Sequence, residues 1–373
     1  MKYTHDERID TYHNWQQAQK IPINTGFFIE DLKKVEVAPW DLKGGLGAFI
    51  NLEGAGGTND GYVCEIPPGQ HLKPQKHLFE EMVYIIDGHG ATSVWQKDGK
   101  KQTFEWHPGS LLAIPLNAWY QHFNGQGDAP VRYFAVTNAP FVINLFHNLD
   151  FIFENDFIFT DRFSPEEEDD YFSGKAQVWE RNRGINFMRW STNFVPNVRD
   201  IQLYDWKERG AGSKSLHFDL AGNIMGSHVS EFSVGTYKKG HRHGPGAHVT
   251  ILSGQGYSLF WSAIGEKPIR VDWKPGSVVV PQTQWFHQHF NSGAEPARYM
   301  ALRWNNWRYR FVAIQDDSPV DKSVKEGGAQ IEFEDEDPMI HEMFEASLAK
   351  AGAQCKMGSV VPHCTQRPTQ KAS

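Results

Sequence analysis

The 373-residue chain is predicted to be an all-β protein in which one β module occurs twice, with a few short helices outside the modules. Short apolar and β-branched runs alternate with turn-forming residues along most of its length, and the chain contains 34 glycines and 20 prolines. Residues 65–95 also align with residues 231–261 at a constant offset of 166 positions, so that His77 matches His243. Such self-similarity indicates a duplicated structural unit.

The repeat and its flanking sequences divide the chain into five segments. A short polar helix is predicted at Asp10–Lys20, and a second helix is predicted at Asp335–Lys350, where apolar residues recur at helical spacing. Ser164-Pro165, followed by the acidic run Glu166–Asp170, predicts the start of a further helix between the modules. The predicted segments are an N-terminal arm (1–50), a first β module (51–145), a connector (146–215), a second β module (216–315) and a C-terminal helix and tail (316–373).

Composition excludes several classes of function. The net charge of −8 provides no basic surface for nucleic acid, and no cluster of Lys and Arg suggests binding to a membrane. No apolar stretch has the length of a signal peptide or a membrane span, so a cytoplasmic protein acting on a small molecule is expected. The number and spacing of Cys64, Cys355 and Cys364 argue against both a disulfide framework and a thiolate metal cluster. Any metal is therefore expected to be held by histidines and carboxylates.

Four histidines in the second module provide the strongest functional signal. His241 and His243 stand two apart in a segment of strand character, and side chains two apart on a strand point to the same side. His287 and His289 repeat this spacing on a later strand that antiparallel pairing would bring alongside. A lone histidine is more often a surface or hydrogen-bonded residue, but two such pairs predict a metal site, because imidazole is the commonest metal ligand.

The two modules resemble the cupin family, whose first motif is Gly-x5-His-x-His-x3/4-Glu-x6-Gly and whose second is Gly-x5-Pro-x-Gly-x2-His-x3-Asn. The matching residues of the second module are Gly235, His241 and His243 in the first motif, and Gly276, Pro281, His287 and Asn291 in the second. The resemblance implies a bicupin, which contains two jelly-roll barrels. It also implies a metal in the mouth of the second barrel, with His241, His243 and His287 as its ligands.

One departure from the cupin pattern narrows the implied chemistry. The position where cupins usually carry glutamate is occupied by Ala247, so the implied ligand set has three histidines and no carboxylate. Three neutral ligands leave the charge of a divalent ion uncompensated, which favours substrates that chelate through anionic oxygens. Three-histidine ligation and His289 resemble the gentisate and salicylate type of ring-cleaving dioxygenase, in which the residue matching His289 lies beside the substrate. That type usually carries an arginine where this chain has Val249, and its active copy is usually the first.

The first module matches the cupin pattern less completely. The positions aligned with His241, His243 and Ala247 carry Gln75, His77 and Glu81. The position aligned with His287 carries Tyr120 or Gln121, depending on one gap. One histidine and one glutamate survive, and His71 or His122 could substitute by a local shift. His77, Glu81 and His122 are therefore candidates for a vestigial metal site, and the alternative for His77 and Glu81 is a buried hydrogen-bonded pair.

The leading hypothesis is a mononuclear non-haem Fe(II)-dependent dioxygenase that uses O2 and a small oxygen-chelating substrate, such as a phenol, a diketone or a hydroxy acid. His289 would act as the acid or base or orient superoxide, and the alternative is a buried imidazole that does not contact the substrate. The candidate substrate contacts are Gln282, Gln284, Trp285, Arg303 and His248. Core packing is the alternative for Trp285 and a surface ion pair is the alternative for Arg303, whereas strand alternation would turn His248 away from the cavity.

Two other functions remain open from the sequence. A Mn or Ni cupin acting as a hydrolase, isomerase or decarboxylase would use the same ligands. A non-enzymatic bicupin that binds a small molecule would share the architecture, although such proteins generally lack a complete ligand set. A homo-oligomer is expected, in which residues 21–50 of the arm could exchange between subunits, and neither nucleic acid nor a membrane is an expected partner.

Overall fold

A computed structural model describes residues 8–97, 99–163, 171–175, 178–179, 188–206, 209–210, 212–304, 306, 309 and 322–366. Within these ranges β-strands dominate, and four α-helices lie outside the sheets. Ser164, Pro165 and the acidic run Glu166–Asp170 lie outside the described residues, so the helix that was expected there stays a prediction. No helix of the described ranges is long and apolar enough to cross a membrane.

The first and last helices begin at capping residues that the sequence supplies. Asp10 accepts a hydrogen bond from the backbone N–H of His13 at 2.9 Å, and Asp337 accepts one from Met339 at 2.9 Å. A carboxylate at this position satisfies a free N–H of the first turn. The helices are α1 (Thr11–Ala18), α2 (Ala139–Phe146), α3 (Leu149–Phe153) and α4 (Pro338–Lys350).

Strands are short and are separated by turns throughout both modules. Eleven strands precede α2, and they are β1 (Ile23–Gly26), β2 (Phe28–Ile29), β3 (Ala38–Trp40), β4 (Gly45–Leu52), β5 (Asp60–Ile66), β6 (Glu81–Asp87), β7 (Gly90–Trp95), β8 (Gln102–Trp106), β9 (Leu111–Ile114), β10 (Trp119–Asn124) and β11 (Val131–Thr137). The strands that follow α3 are β12 (Val178–Trp179), β13 (Arg189–Thr192), β14 (Phe194–Val195), β15 (Tyr204–Asp205), β16 (Ser213–Leu220), β17 (Met225–Phe232), β18 (His248–Ser253), β19 (Gly256–Trp261), β20 (Ile269–Trp273), β21 (Val278–Val279), β22 (Phe286–Asn291) and β23 (Ala297–Trp304).

Each module is built from one large and one small sheet. In the first module the large sheet has the order β1-β4-β5-β11-β6-β9-β14, with β3 on β4, and the small sheet is β10-β7-β8. In the second module the large sheet is β12-β13-β16-β17-β23-β18-β21-β2, with β15 on β16, and the small sheet is β20-β19-β22. These two similar double-sheet units confirm the predicted all-β fold with two jelly-roll modules.

The modules exchange one short strand each. From the arm, β2 pairs with β21 of the second module, and from the connector, β14 pairs with β9 of the first. Ser277 Oγ donates to the carbonyl of Glu30 at 2.7 Å, and Ser110 Oγ donates to that of Pro196 at the same distance. The internal repeat therefore extends into the arm and the connector, where the sequence comparison did not detect it. The segment limits at residues 50 and 215 stay predictions, and β4 and β16 each cross one of them.

The two large sheets face each other and share one apolar core. Ile50 and Val63 of the first module pack in the same buried cluster as Leu216 and Met300 of the second. Because side chains alternate along a strand, the opposite faces of these sheets point into the two barrels. The interior of each barrel therefore lies between its large sheet and its own three-stranded sheet.

Candidate metal centre

Three histidines converge at the mouth of the second barrel. His241 and His287 exchange backbone hydrogen bonds at 3.0 and 2.8 Å, which brings the loop before β18 alongside β22. One ring nitrogen of His241, one of His243 and one of His287 lie within 4.8 Å of one another, and all three side chains are buried. The structure thus brings together the three residues that the sequence proposed as metal ligands.

Backbone carbonyls orient each of these imidazoles. His241 Nδ1 lies 3.2 Å from the carbonyl of Lys239, His243 Nδ1 lies 2.8 Å from that of Gly244, and His287 Nδ1 lies 3.3 Å from that of Trp285. A carbonyl can only accept, so Nδ1 carries the proton and Nε2 presents its lone pair. Hydrogen bonds of this kind are typical of histidines that bind metals.

The electrostatic surroundings keep the cluster neutral. Burial lowers the pKa of His287 to about 3, and burial together with the charge of Arg209 holds the pKa of His241 well below its usual range. A neutral imidazole is the form that binds a cation. The donor set therefore fits a divalent metal ion with three nitrogen ligands.

His289 lies next to this cluster on β22. Its ring is 5.6 Å from that of His287, and both face away from the apolar cluster that contains Phe290. His289 Nδ1 lies 2.7 Å from Ser258 Oγ, which accepts a hydrogen bond from Trp273 Nε1 at 3.0 Å. The serine proton is then available to Nδ1, and in the tautomer in which Nδ1 accepts it the neutral imidazole carries its own proton on Nε2.

Strand alternation places Arg303 inside the second barrel. On β23, Ala301 packs in the barrel interior and Leu302 packs between the modules, so Arg303 points inwards. Burial and the neighbouring charge of Arg209 lower the pKa of Arg303 to about 10, and no described carboxylate contributes to that shift. The guanidinium therefore points into the barrel, where its charge acts on His243 and His287. The alternative for Arg303, a surface ion pair, does not describe this position.

Further basic groups line the same interior. Lys238 Nζ donates a hydrogen bond to the hydroxyl of Tyr299 at 3.1 Å, and both residues are buried. His217 and His228 stand opposite each other on β16 and β17, with their rings stacked at 4.7 Å. Burial and the charge of Arg303 hold the pKa of His228 well below its usual range. An interior with this lining is suited to an anionic ligand.

Three other proposed substrate contacts, Gln282, Gln284 and Trp285, lie near the cluster in one stretch of chain. The backbone N–H of Gln284 donates to the carbonyl of His243 at 3.0 Å, whereas its side chain is exposed. Gln282 Nε2 donates to Glu53 of the first module at 3.3 Å, and Trp285 is half-buried against the apolar part of the barrel. These three residues form the loop that leads into β22.

The structure does not bring His248 to the cluster. Its Nδ1 lies 3.4 Å from Asn59 Nδ2, and its ring is 6.2 Å from that of Phe134, both of which belong to the first module. His248 therefore lies between the modules, on the side of β18 that alternation from Ala247 predicts.

The first barrel carries a different set of side chains at the corresponding positions. The bridge between Gln75 and Tyr120 matches the bridge between His241 and His287, so Tyr120 takes the place of the third histidine. His122 Nδ1 lies 2.7 Å from Thr92 Oγ1, as His289 does from Ser258. His122 is thus the counterpart of His289.

A buried ammonium group lies among these residues. Lys43 Nζ donates to the Tyr120 hydroxyl at 3.2 Å and is 4.0 Å from Glu81 Oε2, while His77 Nε2 is 3.4 Å from the same oxygen. Burial would raise the pKa of Glu81, but the charge of Lys43 and the hydrogen bond from His77 hold it at about 2. The adjoining cavity of about 20 Å³ has room for about one water. Binding of a metal by His77, Glu81 and His122 stays a prediction.

Apolar packing distinguishes the first barrel from the second. Phe49 and Tyr62 pair across β4 and β5, at the place where His217 and His228 pair across β16 and β17. Both aromatic rings belong to the buried core of the first barrel. Two imidazoles of the second barrel therefore take the place of two aromatic rings of the first.

A second group of side chains that could bind a metal lies in the C-terminal segment. Single donor atoms of His341, Glu345, Cys355 and Cys364 lie within 4.8 Å of one another. The number and spacing of the cysteines predicted no thiolate cluster, whereas in the structure the sulfurs of Cys355 and Cys364 are 3.6 Å apart. The available signal was a histidine and a glutamate four apart on a predicted helix, followed by two nearby cysteines.

The two tandem jelly-roll modules have the double-barrel fold that the sequence resemblance implied, and three histidines converge in the second module. No family model matches the chain. Among characterised proteins, the acireductone dioxygenase of Bacillus cereus is 36% identical to it over 70 residues. That match covers 18% of this chain and 41% of the relative, so the chain spans less than half of that protein's length.

Oxalate decarboxylases are among the similar solved structures. One, from a study of substrate binding and reaction specificity, has a TM-score of 0.49 and 13% identity, and the match covers 76% of this chain and 78% of that one. A variant of the Bacillus subtilis enzyme has a TM-score of 0.48, with 13% identity and the same coverage. The formate complex of the Lactobacillus farciminis enzyme has a TM-score of 0.48 and 12% identity, over 75% of this chain and 86% of that one.

Proposed function

We propose that the second barrel is the active site of a mononuclear non-haem metal enzyme, namely an Fe(II)-dependent dioxygenase whose substrate is a small anion with two chelating oxygens. One observation carries the proposal: three convergent neutral imidazoles lie in a barrel that Arg303 and Lys238 also line. A divalent ion with only neutral ligands and cationic neighbours favours anionic oxygen donors over other ligands.

His241, His243 and His287 would hold the iron, which supplies Lewis acidity and electron transfer between substrate and O2 when it is bound. The guanidinium of Arg303 would orient a carboxylate or enolate, because it offers several donors in a fixed plane. His289 would hold a proton on Nε2 and exchange it with a substrate oxygen, since Ser258 occupies its Nδ1. The four histidines are buried, which limits access of bulk water.

The similarity to an acireductone dioxygenase over 70 residues supports oxygen chemistry. A Mn(II) or Ni(II) enzyme acting as a hydrolase, isomerase or decarboxylase would use the same three histidines, and it is the main alternative. A non-enzymatic bicupin that binds a small anion is the second alternative. The expected homo-oligomer stays a prediction that light scattering can test.

Oxygen uptake distinguishes these functions. Metal-free protein would be loaded separately with Fe(II), Mn(II) or Ni(II) and supplied with phenolic, diketone and hydroxy-acid substrates in an oxygen electrode. We expect O2 consumption with Fe(II) and at least one of these substrates. His243→Ala should abolish it, whereas His77→Gln at the corresponding position of the first barrel should retain it. Turnover with Mn(II) or Ni(II) that consumes no O2 would support the main alternative, and binding without turnover would support the second.

A further inference from the structure

The C-terminal segment contains four potential metal ligands in a compact arrangement. His341 and Glu345 are one turn apart on α4, with Nε2 and Oε1 separated by 3.3 Å. Cys355 Sγ lies 3.6 Å from Cys364 Sγ and 4.0 Å from His341 Nε2, and Cys364 Sγ lies 3.6 Å from Glu345 Oε1. In a tetrahedral zinc site the ligand atoms are separated by about 3.3 Å for a nitrogen and an oxygen and by about 3.8 Å for two sulfurs. The observed separations are close to those of such a site.

Hydrogen bonds orient the histidine towards the other three ligands. The hydroxyl of Tyr237 donates to Glu336 Oε1 at 2.5 Å, and it lies 3.0 Å from His341 Nδ1. Because Tyr237 donates its hydroxyl proton to Glu336, its oxygen accepts a hydrogen bond from Nδ1–H of His341. The lone pair of His341 is then on Nε2, the atom that faces the cluster.

The other ligands are also supported by neighbouring groups. Thr365 donates from its hydroxyl to Glu345 Oε2 at 2.9 Å and from its backbone N–H to Oε1 at 3.2 Å. The backbone N–H of Met357 donates to Cys355 Sγ at 3.4 Å. Hydrogen bonds from outside the ligand set position metal ligands in this way.

We infer that His341, Glu345, Cys355 and Cys364 bind one Zn²⁺ ion in a structural site that is separate from the three-histidine centre. Two thiolates, an imidazole and a carboxylate form a set that prefers zinc over harder cations. His341, Cys355 and Cys364 are buried, and the side chain of Glu345 is 17% exposed, so the protein itself occupies all four tetrahedral positions. A closed set of four protein ligands is typical of structural rather than catalytic zinc.

The zinc site would attach the C-terminal segment to the second barrel. Ile331 N–H donates to the carbonyl of Gly240 at 2.7 Å, and Arg242 N–H donates to that of Ala329 at 3.0 Å, so this segment runs along the chain that carries His241. The helix α4 buries Phe344 against the outer face of the small sheet. Loss of the ion would weaken the attachment of α4 to the loop that follows it, which would then depend on hydrogen bonds such as those from Thr365 to Glu345.

The same segment also contacts the strand that carries His287. Gln288 Nε2 donates to Glu336 Oε2 at 2.6 Å, and Glu336 accepts from Tyr237, the partner of His341. The zinc ligands are thus linked to β22 by two hydrogen-bonded side chains. The main rival to zinc is a disulfide between Cys355 and Cys364, whose bond would require about 2.0 Å instead of the observed 3.6 Å.

Metal analysis of the full-length chain tests the inference. The His243→Ala background removes a ligand of the three-histidine centre, so zinc that remains in it and depends on Cys364 reports on the C-terminal cluster. After gel filtration without chelator, we expect about one zinc per chain in this background. Adding Cys364→Ser should remove the zinc, whereas adding Cys64→Ala, a buried cysteine of the first barrel, should leave it unchanged.

A second measurement does not depend on the folding of a cysteine variant. The His243→Ala protein would be refilled with Co²⁺. A tetrahedral site with thiolate ligands is expected to give thiolate-to-cobalt charge-transfer bands and intense absorption in the visible range. Removal of the ion should make residues 351–366 sensitive to limited proteolysis. The inference is overturned by reduced cysteines without stoichiometric zinc, by a disulfide between Cys355 and Cys364, by zinc that survives Cys364→Ser, or by Co²⁺ spectra without thiolate bands.

Discussion

Ser258 Oγ lies 2.7 Å from His289 Nδ1 and accepts a hydrogen bond from Trp273 Nε1 at 3.0 Å, so the serine orients the imidazole. If His289 transfers a proton in the reaction, Ser258→Ala should lower kcat about tenfold or more, because the imidazole loses its orientation and its preferred tautomer. The metal content should not change. The measurement is steady-state turnover across a range of pH, together with metal analysis of the same samples.

The first barrel offers a matched control for this substitution. Thr92 makes the same contacts with His122 and Trp106 as Ser258 makes with His289 and Trp273. Thr92→Ala removes the same two hydrogen bonds, so it should cost similar stability but leave kcat unchanged. Equal losses of kcat in the two variants would show that the effect is on stability and not on proton transfer.

Arg303 should determine the affinity for an anionic substrate. Arg303→Gln removes the charge, and a hydrogen bond to a charged group is worth about 1.5–3 kcal/mol, which corresponds to a rise in KM of about tenfold to a hundredfold. Kinetics with an anionic substrate would measure this change. Arg270→Gln on β20 is the control, since Arg270 is partly exposed and paired with Asp272. An unchanged KM in Arg303→Gln would show that Arg303 does not bind the substrate.

Glu81 should stabilise the first barrel in a pH-dependent manner. Replacement by glutamine leaves the Lys43 ammonium buried without its carboxylate, so Glu81→Gln should lower the free energy of unfolding at pH 7 by about 3–5 kcal/mol. Because the folded-state pKa of about 2 lies below the usual 4.5, this stability is present above pH 4.5 and is lost as the pH falls towards 2. Urea unfolding at several pH values should show the difference from the unsubstituted protein narrowing below pH 4.5.

A double substitution tests whether the pairing itself matters. Lys43→Met removes the charge that Glu81 compensates. The double variant should therefore lose less free energy of unfolding than the sum of the losses in the two single variants. Additive losses would show that Lys43 and Glu81 act independently.

The exchanged strands should be held by two equivalent serines. Ser277→Ala removes hydrogen bonds to the arm and to the turn before β21, and Ser110→Ala removes the corresponding bonds to the connector and to the turn before β9. Each should lower the free energy of unfolding by about 2 kcal/mol, since two partly buried hydrogen bonds are lost. Limited proteolysis should then cleave the arm faster in Ser277→Ala and the connector faster in Ser110→Ala. Cleavage at the same segment in both variants would contradict the exchange.

Local spacing explains how much of the candidate site was predictable. Alternation predicted that His287 or His289 would meet the His241 and His243 pair, and the resemblance to the cupin motif selected His287. In the structure the pair lies in the loop before β18, where His241 bridges to His287. The alignment of the two modules left Tyr120 and Gln121 as alternatives for the position that matches His287, because it requires a one-residue gap. Backbone pairing with Gln75 selects Tyr120.

Contacts between distant segments left no comparable pattern in the sequence. Lys43 enters the first barrel from the arm, and its relation to Glu81 depends on the packing of β4 against the rest of the sheet. The exchanged strands β2 and β14 are only two residues long, which is too short for a periodic signal. The cluster at His341 combines a helix face with cysteines from the following loop, and that loop has no regular structure from which their meeting could be inferred.

The all-β class and the duplication were predictable because alternation and repetition are carried by neighbouring residues, and the three histidines were predictable from their resemblance to the cupin motif. The structure was needed to show where Arg303 and His248 point, and that Cys355 and Cys364 meet His341 and Glu345. These properties depend on which segments pack against one another. That packing is set by burial over the whole chain and not by the order of residues in any one stretch.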